Sequence, residues 1–128
     1  DEGIPTIDPE LGGAVGWDES SIEHGVAGMK RVLRGYDFLP GTVDVDTQVR
    51  VSGFDQYGSP VGGLIELRHE LGDRVSAGAE LFAVTDPFGR VRRRVTADED
   101  GIFWRTRRLP QVATGEYVCS VGTDVDRV

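Results

Sequence analysis

Gly63-Leu64-Ile65-Glu66-Leu67, then Leu71-Gly72-Asp73, Val75, Gly78 and Leu81-Phe82-Ala83-Val84, is a pattern that this chain carries twice. With one residue deleted, it lies over Gly101-Ile102-Phe103-Trp104-Arg105, then Leu109-Pro110-Gln111, Val112, Gly115 and Val118-Cys119-Ser120-Val121. Each copy has an apolar run, a turn flanked by a valine, a glycine where φ > 0 is expected, and a second apolar run. Between the copies, Asp86-Pro87-Phe88-Gly89-Arg90 reads as a turn and Val91 to Thr96 as a strand, leading to the acidic turn Asp98-Glu99-Asp100-Gly101. Another strand, Gln48 to Gly53, comes before the first copy. Six or so short strands paired in this way predict a small sandwich or flattened barrel made of two similar halves.

Upstream of Pro40-Gly41, which breaks the chain, the pattern changes from strands to one helix. Ser20-Ser21-Ile22-Glu23 has the form of a capping box, and the helix is predicted from there to Arg34, with Gly35 placed to end it. Ile22, Val26, Met29 and Leu33 form its apolar stripe, and Gly25 and Gly28 would let another backbone approach. Ahead of the helix, Ile4-Pro5-Thr6-Ile7-Asp8-Pro9-Glu10 reads as a short apolar strand closed by a carboxylate and followed by the turn Gly12-Gly13. A carboxylate so placed is a candidate general base at the rim of a site. The chain starts at Asp1 without a Met, and we read it as the last part of a longer protein. Two domains are expected: residues 1–41, a strand, a Gly-Gly turn and a helix, and residues 42–128, the β domain.

Thirteen Asp and nine Glu against thirteen Arg and the single Lys30 give a net charge of −8. That balance argues against a nucleic-acid partner and against an anionic membrane surface. An Asp-rich, Lys-poor chain with 18 Gly has the look of a salt-adapted, halophilic protein. No run is long and apolar enough for a membrane span and no signal-peptide pattern is present, so a cytoplasmic location is the expectation. Cys119 stands alone, which rules out an internal disulfide, and it reads as a small strand residue.

The duplicated half resembles the barrel-sandwich folds of lipoyl and biotinyl carrier domains, in which two like halves meet at a hairpin. Those carriers modify a lysine at the hairpin tip. The corresponding region, Asp86 to Gly101, holds Arg90, Arg92, Arg93 and Arg94 and no lysine, so the fold is expected without the carrier function.

Taken in order, Gly3 to Gly13, Val32-Leu33-Arg34, Leu39-Pro40-Gly41, Gly62-Gly63, Leu71-Gly72-Asp73-x-Val75-x-x-Gly78, Asp86-Pro87-Phe88-Gly89 and Asp100-Gly101-Ile102 cover nearly the whole chain. In this order and spacing they resemble the carboxyl-terminal part of the succinylglutamate desuccinylase and aspartoacylase family. The resemblance implies a fold that is mainly β with one N-terminal helix, a barrel-sandwich-like domain preceded by a strand-helix remnant of an α/β zinc-hydrolase domain. It implies a deacylase that hydrolyses an N-acyl amino acid or similar small-molecule amide to a carboxylate and a free amine. In that family a His-x-x-Glu pair and a later His hold zinc, and a downstream glutamate, matched here by Glu10, acts on the attacking water. No His-x-x-Glu occurs in this chain. The metal ligands are therefore expected upstream, with none in this chain, and the fragment is expected to be inactive alone.

Gly12 and Gly13 are expected to set the turn that positions Glu10. His24 lies off the apolar stripe and reads as a surface histidine. His69, in Leu67-Arg68-His69-Glu70, reads as a partly exposed residue at a strand end and is the candidate substrate contact. Arg92-Arg93-Arg94 alternates faces along a strand and is expected to pair with the chain's own carboxylates or with a partner subunit. Homo-oligomerisation is left open. Trp17 and Trp104 read as core or hinge anchors. Against the deacylase stands a second reading, a non-catalytic β module for binding or assembly.

Overall fold

The computed structural model describes residues 3, 6–12, 17–43 and 48–127, and it divides into two compact units, Asp1–Asp46 and Thr47–Val128. Eight strands make up the second unit: β1 (Val49–Gly58), β2 (Gly63–Leu67), β3 (Arg74–Val75), β4 (Glu80–Thr85), β5 (Val91–Thr96), β6 (Gly101–Thr106), β7 (Gln111–Val112) and β8 (Tyr117–Arg127). They form two four-stranded sheets, ordered β1-β8-β6-β3 and β5-β4-β2-β7, with every pairing antiparallel.

The sequence repeat is a structural one. The turn glycines Gly78 and Gly115 both adopt φ +82. Val75 lies opposite Gly101 and Val112 lies opposite Gly63, so the short strands β3 and β7 pair with β6 and β2, each in the other half. The symmetry also reaches one strand further back than the sequence pattern. Ser59 and Ala97 are equivalent: the Gly115 N–H donates to the Ser59 carbonyl at 2.7 Å, and the Gly78 N–H donates to the Ala97 carbonyl at 2.8 Å. Each sheet thus has a central pair of strands from one half and flanking strands from the other.

The two sheets close on Tyr57, Val75, Leu81, Phe82, Val84, Ala97, Phe103, Val112, Val118, Cys119 and Val121, with Val61, Ile65, Ala79 and Val95 packed against them. The Tyr57 hydroxyl accepts the Asp98 N–H at 2.9 Å, and burial raises its pKa above the ordinary value. Gly63 and Gly101 are glycines for the same reason. A Cβ on Gly63 would overlap the Thr85 carbonyl and lie 2.7 Å from Val84 Cγ1; on Gly101 it would overlap the Gly122 carbonyl and lie 2.6 Å from Val121 Cγ1. We expect Gly63→Ala and Gly101→Ala to destabilise the second unit alike, each by about 1–3 kcal/mol. Denaturant titration of the two variants checks this, and a neutral effect at either site would show that the strand crossing relaxes.

The helix α1 (Glu19–Gly35) lies in the first unit and differs at both ends from expectation. Its cap is Asp18 rather than Ser20: the Asp18 carboxylate accepts the Ser21 N–H at 3.2 Å and the Ser21 hydroxyl at 2.9 Å. Asp is as good a cap as Ser and adds a negative charge at the positive helix end. The helix runs through Gly35, and the residue in the left-handed conformation is Asp37, at φ +60. There Phe38 N–H bonds Leu33 O at 2.8 Å and Asp37 N–H bonds Arg34 O at 3.1 Å, a Schellman ending that a short Asp side chain tolerates. Of the strand expected over Ile4 to Glu10, Ile4 and Pro5 lie outside the described residues and residues 6–10 join neither sheet; a single extended segment becomes a strand only beside a hydrogen-bonded neighbour. Trp17, at 84 % exposed, and Trp104, at 41 %, are not core residues. Instead Trp104 sits on the sheet surface with its ring 5.6 Å from that of Phe54.

Candidate functional site

Glu10 is exposed, and its placement derives from the residues after it. Leu11 lies over α1 at Gly25, whose missing side chain leaves the space that the leucine occupies. Gly12 has φ +66, and a Cβ there would fall 3.0 Å from Ser21 Oγ and 3.6 Å from Asp18 Oδ2. The glycine therefore sits directly on the helix cap, in a conformation disfavoured for L side chains. Through Leu11 and Gly12 the segment carrying Glu10 is tied to the first turns of α1. Gly13 lies outside the described residues. Gly28, the other helix glycine, has nothing among the described residues within 4 Å of where a Cβ would stand.

Gly12→Val puts a β-branched side chain at positive φ against the cap. We expect the segment to lift from the helix at a cost of about 1–3 kcal/mol. Amide exchange at Ser21 and Ile22 should then accelerate at least tenfold, while exchange in the second unit stays as it is. Unchanged exchange at the cap would refute this placement of Gly12.

The two histidines lie in different units. His24 Nδ1 is 2.8 Å from the Ser20 carbonyl oxygen within the helix. His69 belongs to the other unit, half-buried just after β2, with its ring 5.9 Å from the ring of Phe103. Cys119 is fully buried, and desolvation pushes its thiol up to about 12, which keeps it protonated and inert. Among the described residues no three of His, Cys, Asp and Glu come together in a group able to hold a metal ion.

The arginines are largely occupied. Arg94 donates to both carboxylate oxygens of Glu80, at 2.7 and 2.6 Å, and Arg68 Nε donates to Glu80 at 2.8 Å. Arg94, then Arg68, holds the Glu80 carboxyl below its usual range. Arg92 reaches the Gly62 carbonyl oxygen at 2.8 Å and Arg93 the Arg92 carbonyl oxygen at 2.8 Å. Arg107 pairs with Glu116 at 3.1 Å. Of the run Arg92-Arg93-Arg94, Arg94 pairs with a carboxylate of the chain, Glu80, while Arg92 and Arg93 reach backbone carbonyls. No helix among the described residues is long and apolar enough to cross a membrane.

Sequence reasoning passed over a cleft of about 240 Å³ in the β1-β8-β6-β3 sheet, lined by Arg74, Ser76, Asp100, Ile102, Asp124 and neighbouring backbone. Its residues are far apart in the chain, and they meet only because the halves exchange strands.

No protein-family model and no curated protein matches this sequence. Solved structures do. The chain is similar to the ectoine utilization protein EutE (DoeB) from Ruegeria pomeroyi, with 26 % identity over 88 % of this chain and 37 % of that one, and a TM-score of 0.76. It is similar in fold to a succinylglutamate desuccinylase/aspartoacylase from Rhodobacter sphaeroides, at 20 % identity, 88 % and 37 % coverage, and TM-score 0.68. A protein described as of that family from Shewanella amazonensis matches over 87 % of this chain and 33 % of its own length, at 17 % identity and TM-score 0.69. The chain spans about a third of the length of the structures that it matches.

Proposed function

From the resemblance of this chain to the carboxyl-terminal part of a succinylglutamate desuccinylase/aspartoacylase family protein, we propose that it is part of a deacylase that hydrolyses the amide bond of an N-acyl amino acid or similar small amine. The observation that supports this reading is the likeness in fold to structures described as succinylglutamate desuccinylase/aspartoacylase family proteins, over 87 to 88 % of the chain with TM-scores of 0.69 and 0.68. In this reading the first unit is the end of the catalytic α/β domain, and the second is a β domain beside the substrate entrance or at a subunit contact. Glu10 is the general base: an exposed carboxylate on a segment fixed by Leu11 and Gly12 can take a proton from the attacking water and return it to the leaving amine. Zinc belongs to the intact protein, with its ligands outside this chain, so the 128 residues alone are inactive. His69 is the proposed substrate contact from the β domain. A cytoplasmic location and a small-molecule substrate without nucleic acid or membrane partner complete the proposal.

One observation favours a second reading, a β module for binding or assembly: Thr47–Val128 is a compact unit with its own core around Phe82, Phe103 and Val121. Amine release from a panel of N-acyl amino acids by the full-length gene product separates the two. Release establishes the deacylase, and no release from any member, with zinc bound or not, moves the assignment to the module.

A further inference from the structure

The cleft on β3, β6 and β8 has a chemistry of its own. Arg74 lies opposite Ile102 in the β3–β6 pair, with Asp100 just before β6 and Asp124 within β8. Ile102 is only 9 % exposed yet stands outside the core cluster, so it forms an apolar floor. Asp124 adopts φ +51 within a strand, at the one position where the β1–β8 ladder from Val49 to Tyr57 skips a pair. Gly53 leaves room for it, since a Cβ there would lie 3.1 Å from Asp124 Oδ2. One oxygen of Asp100 accepts the Ala77 N–H at 2.8 Å, which orients that carboxylate. Among the described residues no ion pair joins Arg74 to either Asp, although all three line one space.

A guanidinium and two carboxylates that line one cleft without pairing suit a ligand that carries both charges. We propose that this cleft binds the zwitterion of a free α-amino acid. Arg74 takes the carboxylate through its fork of donors, and Asp100 and Asp124 take the ammonium. Ser76 supplies a further hydroxyl, and the side chain rests toward Ile102 and Val125. A volume of about 240 Å³ has room for a molecule the size of one amino acid. The inference concerns the second unit alone and stands whether or not the protein is a deacylase.

The test is a ¹⁵N–¹H titration of the 128-residue chain with L-alanine, N-acetyl-L-alanine and L-alanine amide. L-Alanine is expected to shift the amides of Arg74, Ser76, Asp100 and Asp124 saturably, in the range of about 1–10 mM. Each derivative lacks one charge and should bind at least about tenfold more weakly. Arg74→Gln should weaken L-alanine by a similar factor, as should Asp124→Asn, which keeps a residue tolerant of the left-handed conformation. The proposal is overturned by the absence of saturable shifts, by derivatives that bind as well as L-alanine, or by both variants binding normally with folded spectra.

Discussion

Glu10→Gln in the full-length gene product is expected to lower amide hydrolysis by about two to four orders of magnitude, the usual contribution of a positioned general base. The substitution keeps the shape and a hydrogen-bonding oxygen but removes the ability to accept a proton. Because Glu10 is exposed and the segment around it is held by Leu11 on Gly25 and by Gly12 on the Asp18 cap, the variant should fold and bind metal as before. The loss should fall on kcat, with KM little changed, because the proton moves in the transition state and not on binding. A tenfold loss or less, in a protein known to hydrolyse its substrate, would remove Glu10 from the chemistry while leaving the deacylase assignment in place. The two failures are therefore distinguishable.

Phe103→Ala is expected to cost the second unit about 3–5 kcal/mol. Phe103 is 0 % exposed, in the centre of the core cluster, and its N–H and carbonyl both bond into the 71–73 turn, at 2.9 Å to Asp73 O and 2.7 Å from Gly72 N. Small domains have about 5–15 kcal/mol in total, so a loss of this size approaches the unfolding threshold. The equivalent position in the other half is Ile65, partly buried, and Ile65→Ala should cost less, about 2–3 kcal/mol. Urea denaturation of both variants measures the difference. Equal effects at the two sites would mean that the core does not concentrate at Phe103.

Two halves, a turn at Asp86–Arg90 and the strand Val91–Thr96 were legible because each depends on local signals: Pro, Gly, and runs of β-branched residues. Even there the symmetry was partly hidden. Phe82 lies opposite Val95 in one sheet, and its counterpart Cys119 lies opposite Tyr57 in the other. The large and small members of the pair have changed places between halves, so each pair fills similar space while the residues, read singly, look unrelated. Ser59 and Ala97 share no side-chain chemistry and match only through their backbone bonds. The strand Gln48 to Gly53 proved longer because Asp55, Gln56 and Tyr57 continue the ladder along β8, a tertiary pairing that no local pattern announces.

The candidate base was legible as a carboxylate before glycines, and the physical role of Gly12 followed from its φ. What the sequence hid was the partner of that glycine. Asp18 and Ser20 are both good caps, and only the position of the Gly12 turn on Asp18 and Ser21 distinguishes them. The amphoteric cleft was equally hidden, since Arg74, Asp100 and Asp124 stand in three different strands or turns.

The exchange of flanking strands bears on how such a domain can exist in parts. A half ending at Thr85 has only two strands that pair with each other, β2 and β4; its remaining two, β1 and β3, find their ladders only on the other half. Such a piece cannot close a core by itself: it needs β8 and β6 to take up β1 and β3, and Val95 and Cys119 to sit opposite Phe82 and Tyr57. Within the intact unit no half can come undone while the other stays intact, and the unit is built to melt all at once.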